Sequence, residues 1–151
     1  MAKPSFINLL AAYQKIMKEY PAGNPCDGGW DNQCAIRMSI ALSDELTIRV
    51  NKSTYSDPKC AHGHARGAES LANWLWKHHL GRPTVLGGSI EERKKLAQKT
   101  GIIFFKDCFS RAGESFENRS GDHIDVWNRG KTQTFDDPTF RSRQVWFWEL
   151  S

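Results

Sequence analysis

The hydrophobic period of this chain changes once, near residue 101, and that change constrains the fold more than any other feature. Before it, apolar residues recur at helical spacing. Phe6, Leu9, Leu10, Tyr13, Ile16 and Met17 make a 3.6-residue stripe, and Ala35, Ile36, Met38, Ile40, Ala41 and Leu42 begin a second amphipathic segment. After it, "GIIFFK" reads as a short buried strand, "DHIDVW" alternates with period two, "KTQTF" suits a further strand, and "RQVWFWE" is aromatic and β-prone. Helices come first and strands follow, with no βαβ rhythm. That order implies an α+β fold with N-terminal helices packed on a C-terminal antiparallel sheet. At 151 residues, one domain spanning 1–151 is expected.

Local signals set the boundaries. Ser5 is placed to cap the first helix and Pro21 ends it. Residues 21 to 33 form a Pro/Gly/Asn/Asp loop, from which Asp31 or Asn32 can cap a second helix running from about Cys34 to Glu45. "NKSTYSDPKCAHGHARG" is a polar loop. A third helix carries Leu71, Trp74, Leu75 and His78 on one side, and Gly81 and Pro83 close it. "SIEE" at 89 to 92 is a capping box that opens a fourth helix ending at Gly101. Residues 106 to 121 contain a loop rich in Gly, Ser and charge.

Lys and Arg number 21 against 17 Asp and Glu, a net charge of +4. The excess favours an anionic surface or polymer as partner. It excludes a nucleic-acid reading, because no dense Lys/Arg stripe accompanies it and the one basic run, "ERKK", suits a solvated helix face. No run of 18 apolar residues is present, so no membrane insertion is expected. The first twenty residues read as a mature helix rather than a signal peptide, since Asn8 and Gln14 interrupt the apolar positions and no small-residue cleavage site follows. Four cysteines are too few for a disulfide scaffold.

Cys34 stands at the boundary between loop and helix, in "GGWDNQCAIRMS". There the N–H groups of the first turn and the positive end of the helix dipole favour an anion such as a thiolate. In "GDHIDVWN", strand alternation puts His123, Asp125 and Trp127 on one face and Ile124 and Val126 on the other. A histidine on a sheet face can therefore confront a cysteine at a helix start. Those are the needs of a thiol hydrolase: a sulfur nucleophile, an imidazole to move its proton, a polar group to fix the imidazole, and helix-start N–H groups as an oxyanion hole. A metal reading competes at "CAHGHARG", where Cys60, His62 and His64 lie close together; the spacing is poor for tetrahedral zinc, and solvated loop histidines are its ordinary counterpart. His78 and His79 suit dipole partners at a helix end. Trp30 and Trp127 flank the two chemical stretches, where they can line a cleft, although core packing is the ordinary use of tryptophan.

"NQCAIRMSIAL" followed by "GDHIDVWN", with "HHLGRP" and "GIIFFK" between them, resembles the fourth family of type VI secretion amidase effectors. The resemblance covers most of the chain. It implies a papain-like, NlpC-type fold with Cys34 as nucleophile and His123 as base, and it places a third, aspartate residue in "NRGKTQTFDDP". Asp136 is preferred there, with Asp137 or Asp125 as alternatives. The implied reaction is cleavage of the γ-D-glutamyl–meso-diaminopimelate bond of the peptidoglycan stem peptide, with no cofactor and no metal. The implied partners are the type VI secretion machinery and a cognate periplasmic immunity protein. The protein would be made in the bacterial cytoplasm, secreted without a signal peptide, and act in the target-cell periplasm. A non-catalytic binding module of the same fold and a cysteine peptidase with another target are the rival classes. Whether Cys26, Cys60 and Cys108 supply a disulfide is left open.

Overall fold

The computed structural model describes residues 2–20, 33–60, 62–134 and 141–151. Helix α1 spans Phe6–Glu19, and the Ser5 side-chain oxygen accepts the Asn8 N–H at 3.4 Å, as the cap signal implies. Its stripe is buried at Phe6, Leu9, Tyr13 and Ile16. Helix α2 spans Cys34–Glu45, the bounds expected from the sequence. Its N-cap is Gln33, which makes no side-chain capping bond; Asp31 and Asn32, the candidates for that role, lie outside the described residues.

Helix α3 covers Ala68–Leu75 and widens into a π-helical turn, Trp76–Leu80, which Gly81 ends at φ 73°. Gly tolerates that left-handed geometry without a Cβ clash. The fourth helix differs from expectation. Helix α4 is only Ile90–Lys94, and none of its residues is buried. Ser89 caps it by accepting the Glu92 N–H at 3.2 Å, but the Glu92 carboxylate reaches back to the Gly87 N–H and does not close the box on Ser89. Without an apolar face to bury, the helix has nothing to extend it as far as Gly101.

Four strands form an antiparallel sheet among the described residues: β1 (Thr84–Leu86), β2 (Thr100–Phe109), β3 (Gly121–Asn128) and β4 (Gln144–Glu149), in the order β1-β4-β2-β3. Strand β1, three residues long, is too short to show a period and was not foreseen. Strand β2 outruns "GIIFFK" and pairs with both β3 and β4; its register on β3 breaks between Phe105 and Phe109, around Asp107 at φ 54°. "KTQTF" is not a strand in its described part. Lys131 alone bridges back to Asn128, because the amides of Gln133 and Thr134 bond the Asp125 side chain instead of a neighbouring backbone.

The sheet is buried on both sides, which explains why β2 reads as a continuous apolar run. One face, with Ile102, Phe104, Ile124, Val126, Trp146 and Trp148, packs on α1, α2 and α3. The other gathers Ile103, Phe105, Trp127, Val145 and Phe147 beneath Leu96. Trp127 is therefore core and not cleft: it is fully buried, and its Nε1–H donates to the Leu96 carbonyl at 2.9 Å.

Gly101 lies inside β2, not at a helix end, and a Cβ there would sit 1.9 Å from the Trp148 carbonyl oxygen and 3.1 Å from the Glu149 Cα. Both obstacles are backbone, so neither can rotate away. Gly101→Ala is expected to destabilise the protein by about 2 kcal/mol or more, read from denaturant unfolding. An unchanged midpoint would contradict the close β2–β4 approach.

Candidate active site

Cys34 is the first residue of α2 and is buried at 3% exposure. His123 stands on β3, one of the two edge strands among the described residues, with its ring stacked on Phe105 at 6.0 Å between centroids. The two cores meet here. Phe105 belongs to the second core and Cys34 to the first, and His123 touches both, since it also makes a side-chain hydrogen bond with Cys34. An edge strand allows this: a helix packed on one face can bring its terminus round to a side chain rooted on the other.

His123 Nε2 lies 2.8 Å from Asp125 Oδ2. The Asp125 side chain has no exposed surface, so every donor around it must come from the protein. Oδ1 accepts the N–H of Val126 at 2.7 Å and of Gln133 at 2.9 Å. Oδ2 accepts the Thr134 hydroxyl at 2.9 Å and its N–H at 3.4 Å. The Thr134 oxygen is also 3.2 Å from His123 Nε2. Helix α1 secures this return segment, because Gln14 Nε2 donates to Gln133 Oε1 at 3.2 Å.

Burial alone would pull the His123 pKa down, but hydrogen bonds to Asp125 and Cys34, reinforced by the negative charge each can carry, outweigh it and push the imidazole up to about 10. Tyr13 lies close by. Its hydroxyl is buried with no hydrogen-bond partner among the described residues, and burial followed by the charges of Asp125 and Cys34 drives its pKa well upward against the pull of Arg37. Ser39, one turn after Cys34, donates to the Ala35 carbonyl at 2.7 Å and accepts the Ala65 N–H at 3.0 Å, which ties Ala65 to α2.

The geometry thus gathers Cys34, His123 and Asp125. Asp136 and Asp137 lie outside the described residues, as do Cys26 and Trp30. Sequence reasoning missed Thr134 and Gln133, which carry no chemical signature in a polar stretch, and read Tyr13 only as part of a core stripe. Cys34 and Cys108 are free thiols, whereas Cys60 is in a disulfide, so its sulfur is not available to a metal beside His62 and His64. No group of three metal-ligating side chains occurs among the described residues. Burial pushes the Cys108 thiol up to about 12, helped by the charges of Asp122 and Cys34, leaving it a packing cysteine.

A thiol at a helix start, set against an imidazole–carboxylate pair on the edge of an antiparallel sheet, defines an α+β fold of the papain-like, NlpC type. The family model for Tae4, type VI secretion system amidase effector protein 4, matches residues 30–148. The chain belongs to that family of amidase effectors, which are hydrolases by class. No curated relative matches it by sequence. Among solved structures it is similar to Tae4 in the Tae4–Tai4 effector–immunity complex from Enterobacter cloacae, at 17% identity and TM-score 0.70, covering 99% of this chain and 100% of that one. It is also similar to Tae4 in the Tae4/Tai4 effector–immunity system from Salmonella typhimurium, at 20% identity and TM-score 0.69 with the same coverage. No described helix is long and apolar enough to cross a membrane.

Asp122, beside His123, is pushed up to about 6, chiefly by burial and also by the charges of Glu69 and Asp107, against the Asp107 N–H bond and Lys106. In the unfolded chain it ionises near 3.8. Stability should therefore be lost as pH rises from about 4 to 6, where the unfolded chain gives up the proton and the folded one resists. Asp122→Asn keeps the oxygen that accepts the Asp107 N–H and removes that loss. Melting temperature followed across this range should fall for the wild type relative to Asp122→Asn; parallel curves would refute the assignment.

Proposed function

We propose that this protein is a peptidoglycan amidase that cleaves the γ-D-glutamyl–meso-diaminopimelate bond of the stem peptide, with Cys34 as nucleophile. The observation that carries the reading is the hydrogen-bonded chain Asp125–His123–Cys34 at the start of α2. The Cys34 sulfur attacks the amide carbonyl carbon while His123 holds the thiol proton. The N–H groups of the first turn of α2 face the developing oxyanion, each such donor being worth about 3 kcal/mol in systems of this kind. His123 then protonates the leaving amine, and water, deprotonated by the same imidazole, hydrolyses the thioester.

Asp125 is the third residue in this proposal. It holds Nε2, which leaves Nδ1 for Cys34. Asp136, the aspartate preferred from the family pattern, and Asp137 are the alternatives. The carboxylate-rich stem suits the net charge of +4. Delivery by type VI secretion, action in the target-cell periplasm, and inhibition there by a cognate immunity protein complete the reading. The family supports the delivery route, and the Tae4–Tai4 complexes support the immunity partner. The whole chain, 1–151, is proposed to act as one domain.

Incubation with purified Gram-negative sacculi followed by mass spectrometry of muropeptides should show stems cut after D-glutamate. Cys34→Ala and His123→Ala should abolish the cut while remaining folded; full activity in Cys34→Ala would reject the enzyme. Asp125→Asn should slow turnover by about a hundredfold or more. A comparable loss in Asp136→Asn or Asp137→Asn, with Asp125→Asn active, would move the third role to that residue.

The raised imidazole pKa sets the alkaline limit. Protonated His123 is needed to release the amine and persists in the free enzyme up to about pH 10, so kcat/KM should hold through mildly alkaline pH and fall as pH rises through about 10. A fall centred near 6.5 would contradict the tight pairing with Asp125 and Cys34.

A further inference from the structure

We infer that Thr134 is a positioning residue, whose hydroxyl closes a hydrogen-bonded ring with His123 Nε2 and Asp125 Oδ2 and so holds the imidazole with Nδ1 toward Cys34. The inference rests on the proposed roles of Cys34 and His123. The three edges of the ring are 2.8 Å from Nε2 to Oδ2, 2.9 Å from Oγ1 to Oδ2 and 3.2 Å from Oγ1 to Nε2.

Proton counting fixes the directions. A carboxylate only accepts, and a hydroxyl has one proton, so Oγ1–H donates to Oδ2. The Oγ1 lone pair then faces Nε2, which must carry a hydrogen shared between Asp125 and Thr134. With Nε2 protonated whether the ring is neutral or charged, Nδ1 is the nitrogen that exchanges a proton with Cys34.

Thr134 supplies what the strand cannot. His123 and Asp125 are neighbours on one face of β3, and their side chains project in parallel. Along the strand, the Val126 N–H holds Oδ1 of Asp125, whereas Oδ2, the oxygen that faces the ring, receives its donors from the return segment. There the Gln133 N–H adds to Oδ1, and Thr134 holds Oδ2 through its N–H and its hydroxyl. A β-branched residue has few χ1 rotamers, so once the backbone is held the hydroxyl direction is nearly set.

The test compares Thr134→Val, which keeps the branched shape and removes the hydroxyl, with Thr134→Ser, which restores the hydroxyl on a smaller side chain. The readouts are kcat and KM on muropeptides, the rate of Cys34 alkylation by iodoacetamide at pH 7, and the His123 tautomer from ¹⁵N ring shifts above about pH 10, where the ring is neutral. Thr134→Val should lower kcat by about tenfold or more with KM within about twofold, slow alkylation similarly, and reduce the Nε2–H tautomer fraction. Thr134→Ser should recover all three. If Thr134→Val does not fold, Thr134→Ala takes its place with the same expectations. Wild-type kcat, alkylation and tautomer in the hydroxyl-free variant would overturn the inference, as would failure of Ser to recover them. The alkylation rate separates this reading from the one beneath it. A wild-type thiol no more reactive than that of His123→Ala removes the catalytic pair itself, and Thr134's role with it. A reactive wild-type thiol unaffected by Thr134→Val overturns Thr134 alone.

Discussion

A carboxylate with no surface in contact with water must be surrounded by protein donors, and the Asp125 side chain has no exposed surface. Its two oxygens accept from three backbone N–H groups and one hydroxyl in addition to facing His123. This demand organises the neighbourhood. It draws the segment after β3 back along the edge of the sheet and takes the amides that would otherwise extend a ladder. It also holds an imidazole whose proton affinity rises despite burial. The latch from Gln14 to Gln133 links the same segment to α1.

Placing His123 on the edge strand has a second consequence. In the middle of this sheet, a side chain on the face away from α1–α3 would be sealed beneath Leu96 with Ile103, Phe105 and Trp127. At the edge it contacts Phe105 on one side and the first residue of α2 on the other. The helix start contributes local N–H groups, and the Ser39 hydroxyl, tied to Ala35 and Ala65, stabilises the turn that follows Cys34. Cys108 illustrates the contrast. It is a thiol of the same chain, free and buried on a strand, and its environment disfavours the anion.

Much of the fold was legible because its causes are local. The α1 stripe, the Ser5 cap, the start of α2 at Cys34 and the alternation of "DHIDVW" depend on side chains within a few positions of one another. Misreadings arose where a distant partner decides. Gly101 looked like a helix terminator, yet the absence of a Cβ serves a close approach to Trp148 on β4, 47 positions further on. Glu92 matched a capping box, but its carboxylate found the Gly87 N–H. "KTQTF" had strand propensity, and its amides were claimed by a buried carboxylate.

The site divides along the same line. By itself, the sequence determined the helices-then-strands order, the nucleophile candidate at a helix start and the histidine on a strand face. Hydrophobic period and helix-end chemistry are written in neighbouring residues. Only the tertiary structure decided which groups surround that histidine. Asp125 was one of three candidate aspartates and Thr134 was not a candidate, because hydrogen bonding selects partners by position in space. The return of residues 131–134 along the edge of β3 brings residues nine to eleven positions apart within about 3 Å.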